Sequence, residues 1–287
     1  LLESLGSAIG GILVYFLLIP LFSNWQASSI IGAAVSLVFF FCFIHRKNRF
    51  LFLLIPLLSL FLFTTDFVTQ QLYWKPFVLV ESEDSSYGKL QVLKTEDQIS
   101  LYSNGLPVYT YPDLAAAEEA VHFPLLQNPG AGNVLLVGGG MGGALEQLLK
   151  YPRLEIDYVE LDPEIIRLSL KYLPEEAKTA VQDSRVQVFH DDGVSFLKKI
   201  QKKYGAIILN LPEPSTAQIN RFYTQEFFLT ARQKLTKDGI FSFRVSSAEN
   251  YISDELRCRS RKYKHFSRLL PPRSTQRRKI ELDNSFS

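Results

Sequence analysis

Asn133–Asp162, NVLLVGGGMGGALEQLLKYPRLEIDYVELD, is the stretch from which the fold can be read. Val134–Val137 is a short apolar run of the kind that forms a parallel strand buried on both faces. Five glycines around Met141 follow at Gly138–Gly143, and then a helical pattern with Leu145, Leu148 and Leu149 on one face. A second β-branched run, Ile156–Val159, delivers Glu160 at its carboxyl end. Gly138, Gly140 and Gly143 fit the spacing G-x-G-x-x-G, and Gly142 is a further position without a side chain. A strand, a glycine turn, a helix and an acid about twenty residues on together predict a nucleoside-binding crevice. Backbone can approach the ligand there, the helix start favours a polar or anionic group, and the acid can accept from both ribose hydroxyls. A turn that needs left-handed backbone would account for the glycines alone, but not for the acid.

The alternation continues downstream. Asp162-Pro163 opens a helix over Glu164–Tyr172, with proline at the first helical position. Val186–Phe189 reads as a third strand, followed by His190-Asp191-Asp192-Gly193 and a helix to Lys199. Ala206–Leu209 is a fourth strand and runs into Asn210-Leu211-Pro212-Glu213-Pro214. A helix over Glu226–Leu235 and a fifth strand, Ile240–Val245, complete the pattern. This order predicts an α/β fold with a parallel, doubly wound, Rossmann-like sheet over residues 113–256. Every polar cluster just named falls at the carboxyl end of a strand, where such sheets bind ligands. Upstream, Phe77–Val80, Leu90–Leu93 and Ile99–Tyr102 have strand character, and Asn104-Gly105 is a hairpin signal. A small antiparallel β unit is therefore expected over residues 76–112. Ala115–Val121 reads as a short helix that ends near His122 and Pro124.

The N-terminal part is apolar. From Ser4 to Ile44 there is no charged residue, and Gly6–Phe22 and Ala27–Ile44 are each long enough to cross a bilayer. A third apolar segment, Phe50–Thr65, is near the short limit. Residues 1–69 thus predict membrane helices near 6–22, 27–44 and 50–65, and a multi-pass membrane protein. By the positive-inside rule the loop His45–Arg49, HRKNR, faces the cytoplasm. If the third segment then spans, everything after it lies outside; a re-entrant segment keeps it inside. The chemistry of a nucleoside site favours the cytoplasmic side.

The formal net charge of +2 hides an asymmetry. Residues 257–279 carry ten Lys and Arg, whereas residues 1–256 hold 21 basic against 27 acidic side chains. The body therefore offers no nucleic-acid footprint. The irregular basic tail, 257–287, is either a nucleic-acid or lipid-binding arm or an end whose sequence is truncated or misread. Cys42 and Cys258, one in an apolar segment and one in the tail, argue against a disulfide framework and provide no metal-ligand spacing, so no metal is expected. Met141 is the only methionine, and the chain is expected to begin inside a longer protein.

Taken together, these motifs resemble the polyamine biosynthesis domain of spermidine and spermine synthases, in the bacterial form fused to membrane helices, with a methyltransferase-type fold. The resemblance runs from about Ser86 to Ser246. It rests on His122-Phe-Pro-Leu-Leu, Gly138–Gly143, Val159-Glu-Leu-Asp162, Asp192-Gly193, Asn210-Leu-Pro-Glu-Pro214 and Phe222-Tyr-Thr-Gln-Glu-Phe227. It implies transfer of an aminopropyl group from decarboxylated S-adenosylmethionine (or a reaction of S-adenosylmethionine itself) to a small-molecule amine. The adenosylated sulfonium is a cosubstrate rather than a permanently bound cofactor. Amine and membrane lipid are the implied partners, with room for a homo-oligomer and none for nucleic acid. Glu160 matches the ribose-binding acid. Asp192, with Gly193, matches the acid that reads the adenine amino group, although a helix N-cap accounts for an Asp there equally. Asn210 and Glu213 stand where the family has two aspartates, and Tyr223 lies close by in the pattern.

Several positions depart from that pattern. Asn210 has no basic lone pair, so it cannot deprotonate an amine, and the task falls to Glu213 or Tyr223. Met141 replaces an aspartate that holds the donor's amine. Ala116 and Ala117 replace a Tyr-His pair, and Gly88 replaces a Gln after Tyr87. The adenosine half of the site looks intact and the polyamine half eroded. Two alternatives stay open: a non-catalytic membrane sensor that binds an adenosyl ligand, and an NAD-dependent oxidoreductase.

Overall fold

A computed structural model describes residues 2–42 and 51–244 of the chain. The basic tail and the HRKNR loop lie outside the described residues. Two compact units divide at Leu106 and Pro107.

The first unit opens with helices. α1 (Leu2–Leu13) passes through a π-helical stretch, Val14–Leu18, into the single turn α2 (Ile19–Leu21). Proline near the start of α2 brings no N–H, and the ladder ahead of it widens to the π form instead of continuing regularly. The chain leaves helix at Phe22, which is extended with φ −133° and ψ 148°, so helical backbone with a π-helical stretch inside it covers the segment expected near 6–22 up to its last residue. α3 (Asn24–Cys42) packs against α4 (Leu51–Tyr73). Among the described residues, α3 is the one helix long and apolar enough to cross a membrane. The contact between α3 and α4 uses small residues: Ser36 and Ser59 are buried, and a Cβ on Gly32 would lie 3.5 Å from the Ser59 hydroxyl.

α4 does not stop at Thr65. It runs eight residues further because its polar end finds partners. Asp66 accepts from the Ser23 hydroxyl at 2.6 Å and from Gln70 at 2.6 Å, and Gln91 donates to Gln70 at 3.0 Å. β1 (Val78–Asp84), β2 (Lys89–Thr95) and β3 (Gln98–Ser103) then form an antiparallel meander. The turn after β3 places Asn104 and Gly105 at φ 52° and 77°, the left-handed pair that a tight hairpin requires.

The second unit begins within β4 (Leu106–Tyr111) and continues into α5 (Leu114–Gln127). Asp113 caps α5 by accepting from the Ala116 amide at 3.0 Å. The expected helix end near His122 is overridden, and α5 carries Pro124 inside it. His122 faces inward, bonded to the Tyr151 hydroxyl at 2.8 Å and Gln147 at 3.2 Å, which holds the last turn in place.

β5 (Asn133–Val137), α6 (Ala144–Leu149), β6 (Glu155–Val159), α7 (Pro163–Tyr172), α8 (Glu175–Gln182), β7 (Val186–Phe189), α9 (Gly193–Lys199), β8 (Tyr204–Leu209), α10 (Ala217–Asn220), α11 (Gln225–Lys234) and β9 (Leu235–Phe243) complete the unit. Every one of these five strands runs parallel to its neighbours, in the order β7-β6-β5-β8-β9. Val134, Leu135 and Leu136 in β5 and Ala206 and Ile207 in β8 are fully buried, as a central parallel strand covered on both faces must be. α8 had no counterpart in the sequence reading. Its buried residues are only Ala177, Ala180 and Val181, too weak an apolar stripe to stand out.

Burial at the sheet also includes one charge. Asp157 is held by both Lys202, at 3.1 Å to each oxygen, and the Tyr204 hydroxyl at 2.6 Å. Burial together with the Asp157 carboxylate pushes the Tyr204 phenol far up, so it acts as a donor only.

Candidate functional site

Register sets out the site. Val137 pairs with Val159 and Leu209, Val159 with Phe189, and Leu209 with Phe243. The residues that follow these five, in sheet order His190, Glu160, Gly138, Asn210 and Arg244, therefore leave the same carboxyl edge in a row. Strand order reverses between β5 and β8, and ligands of doubly wound sheets sit at that switch point. There Gly138 and Asn210 are neighbours.

The glycine turn is shaped more from beneath than by the ligand side. A Cβ on Gly140 would meet the Tyr158 ring at 2.6 Å, and one on Gly142 would meet the Tyr109 Cβ at 2.7 Å. These two positions, expected to let backbone approach a ligand, are required to be small by packing. Gly139 has φ 60° and lies directly against the Asn210 backbone, and Asn210 donates its amide to the Gly139 carbonyl at 3.0 Å. α6 is a short helix of six residues.

Glu160 is buried at the end of β6, 6% exposed. One oxygen accepts from the Tyr158 hydroxyl at 2.9 Å and the other from the Leu161 amide at 2.9 Å. Loss of solvation raises its carboxyl to about 7, opposed by those hydrogen bonds. The Asp162 backbone amide donates to the same carboxylate, so of its roughly four acceptor sites three are taken and one is left for a ligand hydroxyl. Tyr158 and Tyr109 are themselves raised by burial, with Glu160 adding to the shift, and Tyr109 is paired with Ser169 at 2.6 Å.

Asp192 takes the N-cap position of α9, accepting from the Ser195 amide at 2.9 Å. Its other oxygen forms an ion pair with Arg221. An adenine amino group would have to share or displace that partner. Gly193 admits no side chain, because a Cβ would lie 2.7 Å from Val137 and 3.0 Å from the Phe222 ring.

The second half of the site is a cavity of about 300 Å³ beside the loop after β8. Its lining includes Tyr109, Asp113, Asn210, Glu213 and Arg244. Glu213 is exposed to it and to solvent. Tyr223, expected beside the reacting amine, is 2% exposed and does not line this cavity. Its hydroxyl donates to the Arg244 carbonyl at 3.4 Å, which makes it an anchor for the edge of β9. Asp113 and Arg244 were missed. Asp113 reads only as a helix cap, and Arg244 becomes visible once β9 is aligned with β8. Met141 is buried at 2%, and Ala117 packs 3.2 Å from where a Gly143 Cβ would be.

A parallel, doubly wound sheet with a glycine turn after β5 and a buried acid after the adjacent strand β6 defines a Rossmann-like fold. Residues 114–265 match the spermine/spermidine synthase domain, and the chain belongs to that family. A polyamine aminopropyltransferase of Oceanobacillus iheyensis is 29% identical over 259 residues, covering 84% of this chain and 50% of that protein. Aquifex aeolicus polyamine aminopropyltransferase 2 is 33% identical, over 63% of this chain and 37% of that protein. The enzyme of Clostridium perfringens is 30% identical, over 71% and 69% respectively. This chain thus spans half or less of the first two relatives. A spermidine synthase crystallised with the transition-state analogue AdoDATO has the same fold, with a TM-score of 0.58 at 22% identity over 66% of this chain and 64% of that one. Spermidine synthase from Thermotoga maritima gives 0.57 at 23% identity, with the same coverage. Membership of this family leaves the dinucleotide oxidoreductase alternative without support.

Proposed function

We propose that this chain carries out aminopropyl transfer from decarboxylated S-adenosylmethionine to an amine, as a spermidine synthase-like enzyme anchored in a membrane. The observation that carries the reading is the placement, along one carboxyl edge of the sheet, of a buried ribose-type acid, Glu160 after β6, and a cavity lined by Asn210–Glu213 after β8. The amine nitrogen attacks the methylene carbon bonded to the sulfonium. A C–N bond forms, the C–S bond breaks with its electron pair going to sulfur, and methylthioadenosine leaves. The proton lost by the nitrogen goes to Glu213 or to water. Sulfonium is already an activated leaving group, so positioning supplies most of the rate.

Membrane anchoring is supported by the inside-out character of the helices. Val38, Phe39, Phe41, Leu57, Leu58 and Phe61 are exposed while Ser36 and Ser59 are buried, as in helices packed within lipid. The match to the Oceanobacillus relative also covers more of this chain than Pro107–Ser287 can supply. We place the second unit on the cytoplasmic side, where the sulfonium donor is made.

A second reading, an adenosyl-binding sensor without turnover, draws on one observation: Asn210 spends its amide on the Gly139 carbonyl and offers no base. Thermal stabilisation by methylthioadenosine, together with its release from decarboxylated S-adenosylmethionine in the presence of amines, separates the two. Binding without release leaves the sensor. Stabilisation by a nicotinamide dinucleotide alone would remove both readings.

A further inference from the structure

We infer that the amine accepted by this chain is a diamino acid rather than a simple diamine, and that Arg244 selects it. This rests on the transferase reading above and names its substrate class. Arg244 is brought to the cavity by register: Leu209 pairs with Phe243, so Asn210 and Arg244 emerge side by side from adjacent parallel strands. Its backbone is tied down, since the Tyr223 hydroxyl donates to its carbonyl and the Tyr223 and Phe243 rings meet edge to face with centroids 5.8 Å apart. The guanidinium has no hydrogen-bond or ion-pair partner among the described residues, and the residue lines the cavity with Asp113, Asn210 and Glu213.

Among the residues that border the cavity, two are acidic and one carries a guanidinium, with an amide where the resemblance calls for a third acid. A diamine brings two ammonium groups and nothing for the guanidinium, which repels it. A diamino acid such as ornithine or lysine brings two ammonium groups and one carboxylate, matching the lining group for group. A guanidinium fork is the side chain best suited to hold a carboxylate in a fixed orientation. The cavity is at the small end of the range for ligand sites, which suits a molecule of that size.

Matched pairs test this on the full chain in detergent or nanodiscs, by following methylthioadenosine release from decarboxylated S-adenosylmethionine. Ornithine is compared with putrescine and lysine with cadaverine, each pair differing only by the carboxylate. Expected is a KM for the diamino acid lower by about tenfold or more. Arg244→Glu should reverse that order through KM, and Arg244→Lys should keep it in part. A wild-type preference for the diamine that Arg244→Glu leaves unaltered overturns the inference. If no amine is consumed, calorimetric titration of ornithine and putrescine into protein saturated with methylthioadenosine decides. Arg244-dependent ornithine binding upholds the selectivity while the transferase reading falls; binding of putrescine alone, or of neither, overturns the selectivity as well.

Discussion

At the scale of single residues, Glu160 is the most informative group. Burial raises its carboxyl from 4.5 to about 7, so the folded protein holds a proton that the unfolded chain releases more readily. Stability of the ligand-free protein should fall as pH rises from about 4.5 to 7 and level off above, because the native state binds more protons across that window. Adenosyl-ligand affinity should move the other way, rising through the same range as the carboxylate becomes the acceptor for a ribose hydroxyl. Glu160→Gln should flatten both profiles, measured by thermal melts and by titration of methylthioadenosine between pH 5 and 8. Profiles that stay as steep in the variant would place the titration elsewhere.

Asn210 invites a simple repair that the structure argues against. Restoring an acid by Asn210→Asp can supply a base worth typically 10²–10⁴-fold in rate. Yet the amide donates to the Gly139 carbonyl, and a carboxylate would face that oxygen instead. The variant should lose about 1–3 kcal/mol of stability and recover less rate than base catalysis alone would give. Denaturant unfolding and turnover on one preparation check both parts. Glu213→Gln should slow release of methylthioadenosine by roughly 10²–10⁴-fold while leaving its binding intact.

Among the elements, the glycine turn and the α10–α11 segment each make a claim. Gly140→Ala presses a methyl group into the Tyr158 ring and should destabilise the fold by about 1–3 kcal/mol, even in the absence of any ligand. A variant as stable as wild type would mean the turn can lift away from β6. Arg221, in the turn just after α10, stands on the Oδ2 oxygen of Asp192, the one that does not cap α9. The contact is partly exposed and weak, so Arg221→Ala should tighten adenosyl binding by up to about fivefold if the two compete for that oxygen. Weaker binding instead would make Arg221 part of the adenine site.

For the whole molecule, the apolar exterior of α3 and α4 predicts behaviour that needs no assay of activity. The chain should stay with membranes through an alkaline wash and leave them only in detergent. A cysteine label at Gly105, in the hairpin after β3, should report the cytoplasmic side. Labelling from the other side would mean that α4 crosses the bilayer, and a donor made in the cytosol would then be out of reach.

The parallel sheet, its strands and the glycine turn were legible from Asn133–Asp162 outward because they rest on local pattern: short β-branched runs, glycines and an acid at fixed spacing. Glu160 could be named for the same reason, since one strand alone carries it to the edge. The cavity was not legible. It takes Asp113 from a helix cap, Asn210 and Glu213 from one loop and Arg244 from a neighbouring strand, residues far apart in the chain that only the β8–β9 register brings together. Tyr223 was misplaced because sequence proximity to a motif does not give the direction of a side chain, and the core between β9 and α11 took it inward. Sequence alone determined the parallel sheet, the glycine turn and the acid at the end of β6, because these are written on consecutive residues. What borders the cavity beside the β8 loop was decided by tertiary structure, because it depends on charged residues that meet only across the sheet.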